Sequence, residues 1–179
     1  MTTLLTGASG FLGGWVARLL RPAPGTLRVL ARPSSDLSGL AGLDLEVVSG
    51  DLLDPPSLAR ALDGVRHVVH TAGRISFRPR EAEAVRRANV EGAANLFAAA
   101  LEAGVERVVW TGSIFALGCA ADPARPVDEQ GTFNTPELAD IPYLRARREA
   151  ERLADEYAAR GLPLVRLYPG LALGPGDRR

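Results

Sequence analysis

The chain has 179 residues, 46% of them hydrophobic and 23% charged, and its 21 basic residues balance 21 acidic ones to a formal charge of zero. A chain of that make-up reads as one globular domain, able to bury roughly 70% of the surface it would expose unfolded without a disulfide or metal to hold it. Its single cysteine, Cys119, cannot form an internal disulfide, and with two histidines it falls short of the usual structural zinc sets, so no metal site is expected. The even charge also lacks the basic footprint of a nucleic-acid binder.

All 21 basic residues are arginine, and lysine is absent from the chain. The start, Met-Thr-Thr-Leu-Leu-Thr-Gly, carries no basic leader, long apolar segment or small-residue cleavage site, which predicts a soluble, cytoplasmic protein. No apolar run approaches the roughly 20 residues that a membrane-spanning helix requires, so no membrane partner is expected.

In chain order, short apolar runs alternate with segments of helical period. Strands are expected near Thr2 to Leu5, Leu27 to Ala31, Leu45 to Val48, His67 to His70, Val105 to Trp110 and Leu164 to Tyr168. Helices are expected near Phe11 to Leu20, Pro56 to Leu62, Glu81 to Ala103 and Ile141 to Arg160, with Gly104 and Gly161 as stops. The repeated β, α order predicts the α/β class, a doubly wound parallel sheet with helices on both faces, because right-handed crossovers carry each helix over the sheet. Ligands of such sheets bind at the carboxyl ends of the strands. Two stretches break the pattern. Pro33 to Asp44 shows no obvious helix, and Gly118 to Asp140 reads as a long functional loop.

Directly after the first strand, Thr6-Gly7-Ala8-Ser9-Gly10-Phe11-Leu12-Gly13 spaces its glycines at every third position. A glycine where the strand turns, a second where backbone must approach a diphosphate and a third where helix packs on strand seat a dinucleotide on helix N-terminal amides. Gly7, Ser9, Gly10, Phe11, Leu12 and Gly13 are the expected cradle. The G-x-x-G-x-x-G spacing resembles the short-chain dehydrogenase/reductase superfamily, in its extended branch of nucleotide-sugar epimerases, dehydratases and dihydroflavonol-reductase-like enzymes, which implies a Rossmann fold. At the end of the second strand a carboxylate would hold the ribose hydroxyls of NAD, but the position is Ala31, followed by Arg32. A guanidinium there can pair with the 2′-phosphate of NADP, with Ser34 or Ser35 assisting, so NADP is expected in preference to NAD. The bland alternative is that Arg32 is a solvated loop arginine.

The resemblance assigns further residues. Asp51 and Leu52 correspond to the pair that lies against adenine, although an aspartate before Pro55 and Pro56 equally suits a turn or a cap. Thr71, Ala72 and Gly73 correspond to the cofactor-flanking end of the fourth strand, with His70 read as a packed strand residue rather than a catalyst. Asn89 matches an asparagine of the family's central helix, or else is a buried polar group satisfying backbone. Pro169 falls in the segment Tyr168 to Asp177 that resembles the family's passage under the nicotinamide.

Ser113, at the end of the fifth strand, corresponds to the family's catalytic Ser or Thr, and Gly112 stands where a second serine is frequent. The family's tyrosine corresponds to Tyr143, and its lysine, four residues on, is replaced by Arg147. Residues i and i+4 share a helix face. In the family that lysine holds the nicotinamide ribose and its charge favours the ionised phenol. Arginine keeps the charge but is planar and always protonated, hence a poor member of a proton relay.

The expectation is an NADP-dependent oxidoreductase or epimerase/dehydratase-like domain acting on a small-molecule substrate. Ser113 would orient the oxygen, Tyr143 exchange its proton and Arg147 contact the ribose. The alternative is a catalytically silent NADP(H)-binding sensor module or a truncated fragment. On the resemblance, residues 1–179 form the cofactor-binding domain alone, without the smaller substrate domain. Relatives pair through the helices that carry Asn89 and Tyr143, so a homodimer is expected.

Overall fold

The computed structural model describes residues 1–20, 25–120, 122, 124–131 and 133–177. Six strands, β1 (Thr2–Thr6), β2 (Thr26–Ala31), β3 (Glu46–Ser49), β4 (Val65–His70), β5 (Arg107–Thr111) and β6 (Leu164–Leu167), form one sheet in the order β3-β2-β1-β4-β5-β6. Every pairing is parallel. The direction of sheet growth reverses between β1 and β4, which opens a crevice at their carboxyl ends. The helices are α1 (Phe11–Leu20), α2 (Pro55–Leu62), α3 (Ala82–Arg86), α4 (Gly92–Glu102) and α5 (Pro142–Ala159).

Successive strand residues face opposite sides of the sheet, and the two sides build two cores. Leu4, Leu30, Val68 and Val108 point to the side covered by α2, α4 and α5, where Leu58, Leu96, Phe97, Trp110 and Tyr157 pack with them. Leu5, Val29 and Leu27 point to the other side, against Ala17 of α1 and Leu40. Because β1 is buried on both faces, it reads as an unbroken apolar pair rather than an alternation. Phe97 centres the larger core. Its ring meets Trp110 at 5.7 Å, Tyr157 at 5.8 Å and His70 at 6.3 Å, all edge to face.

Several expected boundaries move. The long helix expected over Glu81 to Ala103 is a 3₁₀ turn at Pro79–Glu81, α3, a π-helical turn at Arg87–Glu91, and α4. Strand β5 starts at Arg107 rather than Val105, because the Val105 N–H is spent on Ala100 O in the turn that follows α4. Strand β6 ends at Leu167, and Tyr168 leaves the sheet. Gly104 and Gly161 do end α4 and α5, with φ of +65° and +97° that suit only glycine there. The link from β2 to β3 holds only a 3₁₀ turn, Ser38–Leu40, as the missing helical pattern implied.

The long loop is tied at two points. Asn134 exchanges two 2.8 Å hydrogen bonds with the backbone of Cys119, and Arg148 of α5 lies 3.8 Å over the Phe133 ring. Loop positions 121, 123 and 132 lie outside the described residues. Among the described residues no helix is long and apolar enough to cross a membrane.

Candidate functional site

The glycine loop sits at the crevice between β1 and β4, and the glycines differ in what fixes them. Gly7 has φ +80°, and a Cβ there would lie 2.5 Å from the Ala72 backbone nitrogen. A Cβ on Gly13 would fall 2.1 Å from Gly7 O and 2.7 Å from Thr71 Oγ1. These two glycines are therefore demanded by the chain's own close packing, with Thr71 donating from both its N–H and its hydroxyl to Thr6 O. Gly10 differs: a Cβ on it would meet only Gly7 O within 4 Å, at 3.3 Å. Its N–H donates to Gly7 O and its carbonyl accepts from Gly14, so it opens α1. Ser9 is exposed at the tip, with Phe11 and Leu12 half-buried on the first turn, whose N–H groups lack intrahelical partners.

A second cluster forms where β5, α5 and the π-helical turn converge. Pro142 starts α5 and places Tyr143, 5% exposed, in its first turn. Arg147, one turn on and 7% exposed, donates from Nε to the Tyr143 hydroxyl at 3.0 Å and from Nη1 to Thr111 O at 3.2 Å. Its Nη2 lies 3.2 Å from where a Gly73 Cβ would stand, so Gly73 leaves the room that the guanidinium fills. Asn89, in the π turn, accepts from Arg74 N–H and donates to Arg74 O and Val85 O. It thus fastens the chain beyond β4 to the widened helix, and its backbone-satisfying role is the one visible in the structure.

Ser113 is buried at 5% exposure, and its Oγ accepts from Phe115 N–H at 3.3 Å. Ser113 and Tyr143 share no hydrogen bond. Pro169 lies beside this turn, its carbonyl accepting from Ile114 N–H at 3.4 Å. Beyond it the segment returns to α1, where Trp15 Nε1 donates to Pro175 O and Gly174 approaches the Phe11 ring. Tyr143 is framed by the rings of Phe77 at 5.8 Å and Phe115 at 6.2 Å, both edge-on and both about half-exposed.

His70 is the buried polar residue beneath the cluster. Its Nδ1 lies 2.6 Å from Thr6 Oγ1, and burial, with help from the nearby Arg147 charge, holds its pKa down to about 3. It is a neutral, packed strand residue. Glu151 follows Arg147 by one turn. Its Oε2 accepts from the Tyr168 hydroxyl at 3.0 Å, its Oε1 is buried without a hydrogen-bond partner, and burial pushes its pKa up. A Cβ on Gly112 would stand 3.0 Å from that Oε1 and 3.2 Å from Leu167 O, so a serine there would be crowded.

Arg32 and Asp51 belong to a different part of the surface, an open cleft of ≈ 460 Å³ near the ends of β2 and β3. Asp51 Oδ1 accepts from Leu53 N–H, and its own N–H donates to Ser57 Oγ. Leu52 rests on Gly92, where a Cβ would come within 3.0 Å of it, and its carbonyl accepts from Asn95. Gly92, Asn95, Ser57 and Glu151 have no part in the sequence reading. Only Glu151 carried a usable signal, standing at i+4 from Arg147 on the face of Tyr143.

The profile of the NAD dependent epimerase/dehydratase family matches residues 3–179. The chain belongs to that family. Among curated members, it is 36% identical over its whole length to sterol demethylase protein B of Methylococcus capsulatus, covering 54% of that protein. It is 34% identical to a putative dihydroflavonol 4-reductase of Synechocystis, with 97% of this chain and 50% of the relative aligned. The solved structure of gox2253 matches 98% of the chain and 53% of its own length, with TM-score 0.88 and 38% identity. UDP-glucose 4-epimerase from Brucella ovis in complex with NAD matches 93% of the chain and 51% of its own length, with TM-score 0.80 and 25% identity. The chain spans about half the length of the family members it matches. Membership accounts for the sheet order and the place of the glycine loop.

Proposed function

We propose that residues 1–179 form the NADP-binding domain of an oxidoreductase of this family, with Tyr143 and Ser113 acting on an oxygen-bearing carbon and Arg147 in the lysine's place. The observation that carries the reading is the pair itself: Arg147 Nε donates to the Tyr143 hydroxyl at 3.0 Å, with both side chains buried. A fixed guanidinium aimed at the phenol oxygen stabilises negative charge on that oxygen as its proton leaves. The Nη2 arm on the Gly73 side is the part left to contact a ribose.

The cradle fits a dinucleotide. Gly7 and Gly13 are consumed by internal packing, while Gly10 presents bare backbone at the start of α1, where helix N–H groups favour an anion. When bound, the nicotinamide gives or takes hydride at the substrate carbon. Gly7, Ser9, Gly10, Phe11, Leu12 and Gly13 would hold the diphosphate; Arg32, Asp51 and Leu52 the adenosine end; and Thr71, Ala72, Gly73, Asn89, Tyr143, Arg147 and Pro169 the nicotinamide half. The Ser113 hydroxyl would donate to the substrate oxygen, and the Tyr143 hydroxyl would pass its proton there. The half-exposed rings of Phe77 and Phe115 on Tyr143 favour a substrate whose reactive oxygen sits on a flat apolar body over a nucleotide sugar. A cytoplasmic homodimer belongs to the same reading.

A second reading rests on the same guanidinium. Two of its arms are committed to Tyr143 and Thr111, which suits a chain that binds NADP(H) without turning it over. Calorimetric titration with NADPH and NADH, followed by turnover of an aryl ketone, separates the readings. Under the enzyme reading Tyr143→Phe loses about 100-fold or more in rate while NADPH affinity changes far less. Arg147→Met loses rate as well, and Arg147→Lys, which restores the relay group, raises it; Arg147→Lys with affinity and turnover both unchanged refutes the role given to Arg147. Turnover unaffected by Tyr143→Phe refutes the catalytic role; binding without any turnover leaves the silent module standing.

A further inference from the structure

The cleft between β2 and α2 brings to one place two arginines far apart in sequence, of which only Arg32 has a place in the readings above. Arg32 and Ser34 line it from the end of β2, Gly50 and Asp51 from the end of β3, Asp54 from the N-cap of α2 and Arg60 from the helix itself. Helix α2 turns Ser57, Leu58, Ala61 and Leu62 into the core, which leaves Arg60 on the outward face. Both guanidiniums are on exposed residues, and among the described residues neither forms an ion pair. Two arginines that converge on one open cleft without salt-bridge partners are suited to a dianion, because each planar fork can bind two oxygens of a phosphomonoester.

The carboxylates of the cleft are unequal. Asp51 is turned back to Leu53 N–H in a local turn. Asp54 is exposed at the start of α2 and makes no side-chain cap bond. It is therefore the group that competes with an incoming phosphate for the arginines.

We infer that Arg60 is the second arm of a two-arginine clamp, with Arg32, for a phosphate on the adenosine ribose of the cofactor. Arg60 thereby determines the preference for NADP over NAD. The inference rests on the dinucleotide reading above. It assigns α2, beyond the glycine loop and the end of β2, a share in choosing the cofactor.

The test is titration of the whole chain with NADPH, NADH, 2′,5′-ADP and 5′-AMP, comparing wild type with Arg32→Ala, Arg60→Ala, Arg60→Lys and Asp54→Asn. Arg60 is exposed, so the variants should fold, and circular dichroism checks that. Arg60→Ala should weaken NADPH and 2′,5′-ADP about tenfold and leave NADH and 5′-AMP unchanged. Arg60→Lys should recover part of the loss, and Asp54→Asn should tighten only the two 2′-phosphorylated ligands. The wild-type preference should shrink as salt is raised. NADH and NADPH weakened equally by Arg60→Ala, or neither changed while Arg32→Ala erases the preference, overturns the clamp and leaves the dinucleotide reading intact. Binding of neither dinucleotide to wild type overturns both.

Discussion

Acid should loosen this fold through His70, and the size of the effect follows from where that ring sits. Its pKa is held down from 6.5 to about 3 because the imidazole is 1% exposed, with Arg147 nearby. The unfolded chain therefore takes up a proton as pH falls through about 6.5, while the folded chain stays neutral to about 3. Between those values the unfolded state binds more protons, so stability declines as pH is lowered through this window. Relative to pH 7.5, the loss from this one group is about 1–2 kcal/mol at pH 5.5 and about 2–3 kcal/mol at pH 4.5.

The comparison to make is wild type against His70→Asn, in which the amide can still pair with Thr6 Oγ1 but cannot titrate. The smaller side chain loses contact with Phe97 and is less stable at pH 7.5. That offset does not depend on pH, and the carboxylates titrate alike in both proteins. Urea midpoints across pH 7.5 to 4.5 should therefore show the gap between the two narrowing by about 2–3 kcal/mol. A gap that stays constant refutes the neutral, desolvated histidine.

Other outcomes follow from the same geometry. Gly13→Ala drives a methyl to 2.1 Å from Gly7 O, a backbone carbonyl that cannot swing aside, and should cost about 1–3 kcal/mol while abolishing NADPH binding in calorimetry; binding at wild-type strength would contradict the packing. Glu151→Gln should stabilise the protein at pH 8 and not at pH 4. The folded pKa of Glu151 is raised, so its burial costs stability as pH climbs above the ordinary carboxylate range, and thermal melts at the two pH values check the sign. Asn89→Ala strips Arg74 N–H, Arg74 O and Val85 O of their partner and should cost about 2–4 kcal/mol, with faster exchange of the Arg74 amide as the local signature.

Much of the fold was legible in one dimension. Apolar runs between turn residues located the six strands, and α1 and α5 fell within a residue or two of their expected limits, because periodicity reports which face is buried before the partner is known. The region from Glu81 to Ala103 was legible only as helix. Its π-helical turn carries Asn89, whose bonds to Arg74 and Val85 helical period does not encode.

The site divides the same way. Spacing alone marked Gly7, Gly10 and Gly13, and i, i+4 geometry put Tyr143 and Arg147 on one face. What spacing left open was which glycines the protein itself requires. The contacts with Ala72 and Thr71 settle that for Gly7 and Gly13, since β4 lies beside β1 only once the sheet has formed. Local sequence likewise fixed that an arginine stands four residues after Tyr143. Only the packed structure directed its head to the phenol and to Thr111 O, because Gly73, brought in from β4, leaves the space it occupies. Arg60 comes to line the same cleft as Arg32 for the same reason: the parallel pairing of β2 and β3 sets the two chain segments side by side, and residue type and spacing carry no record of it.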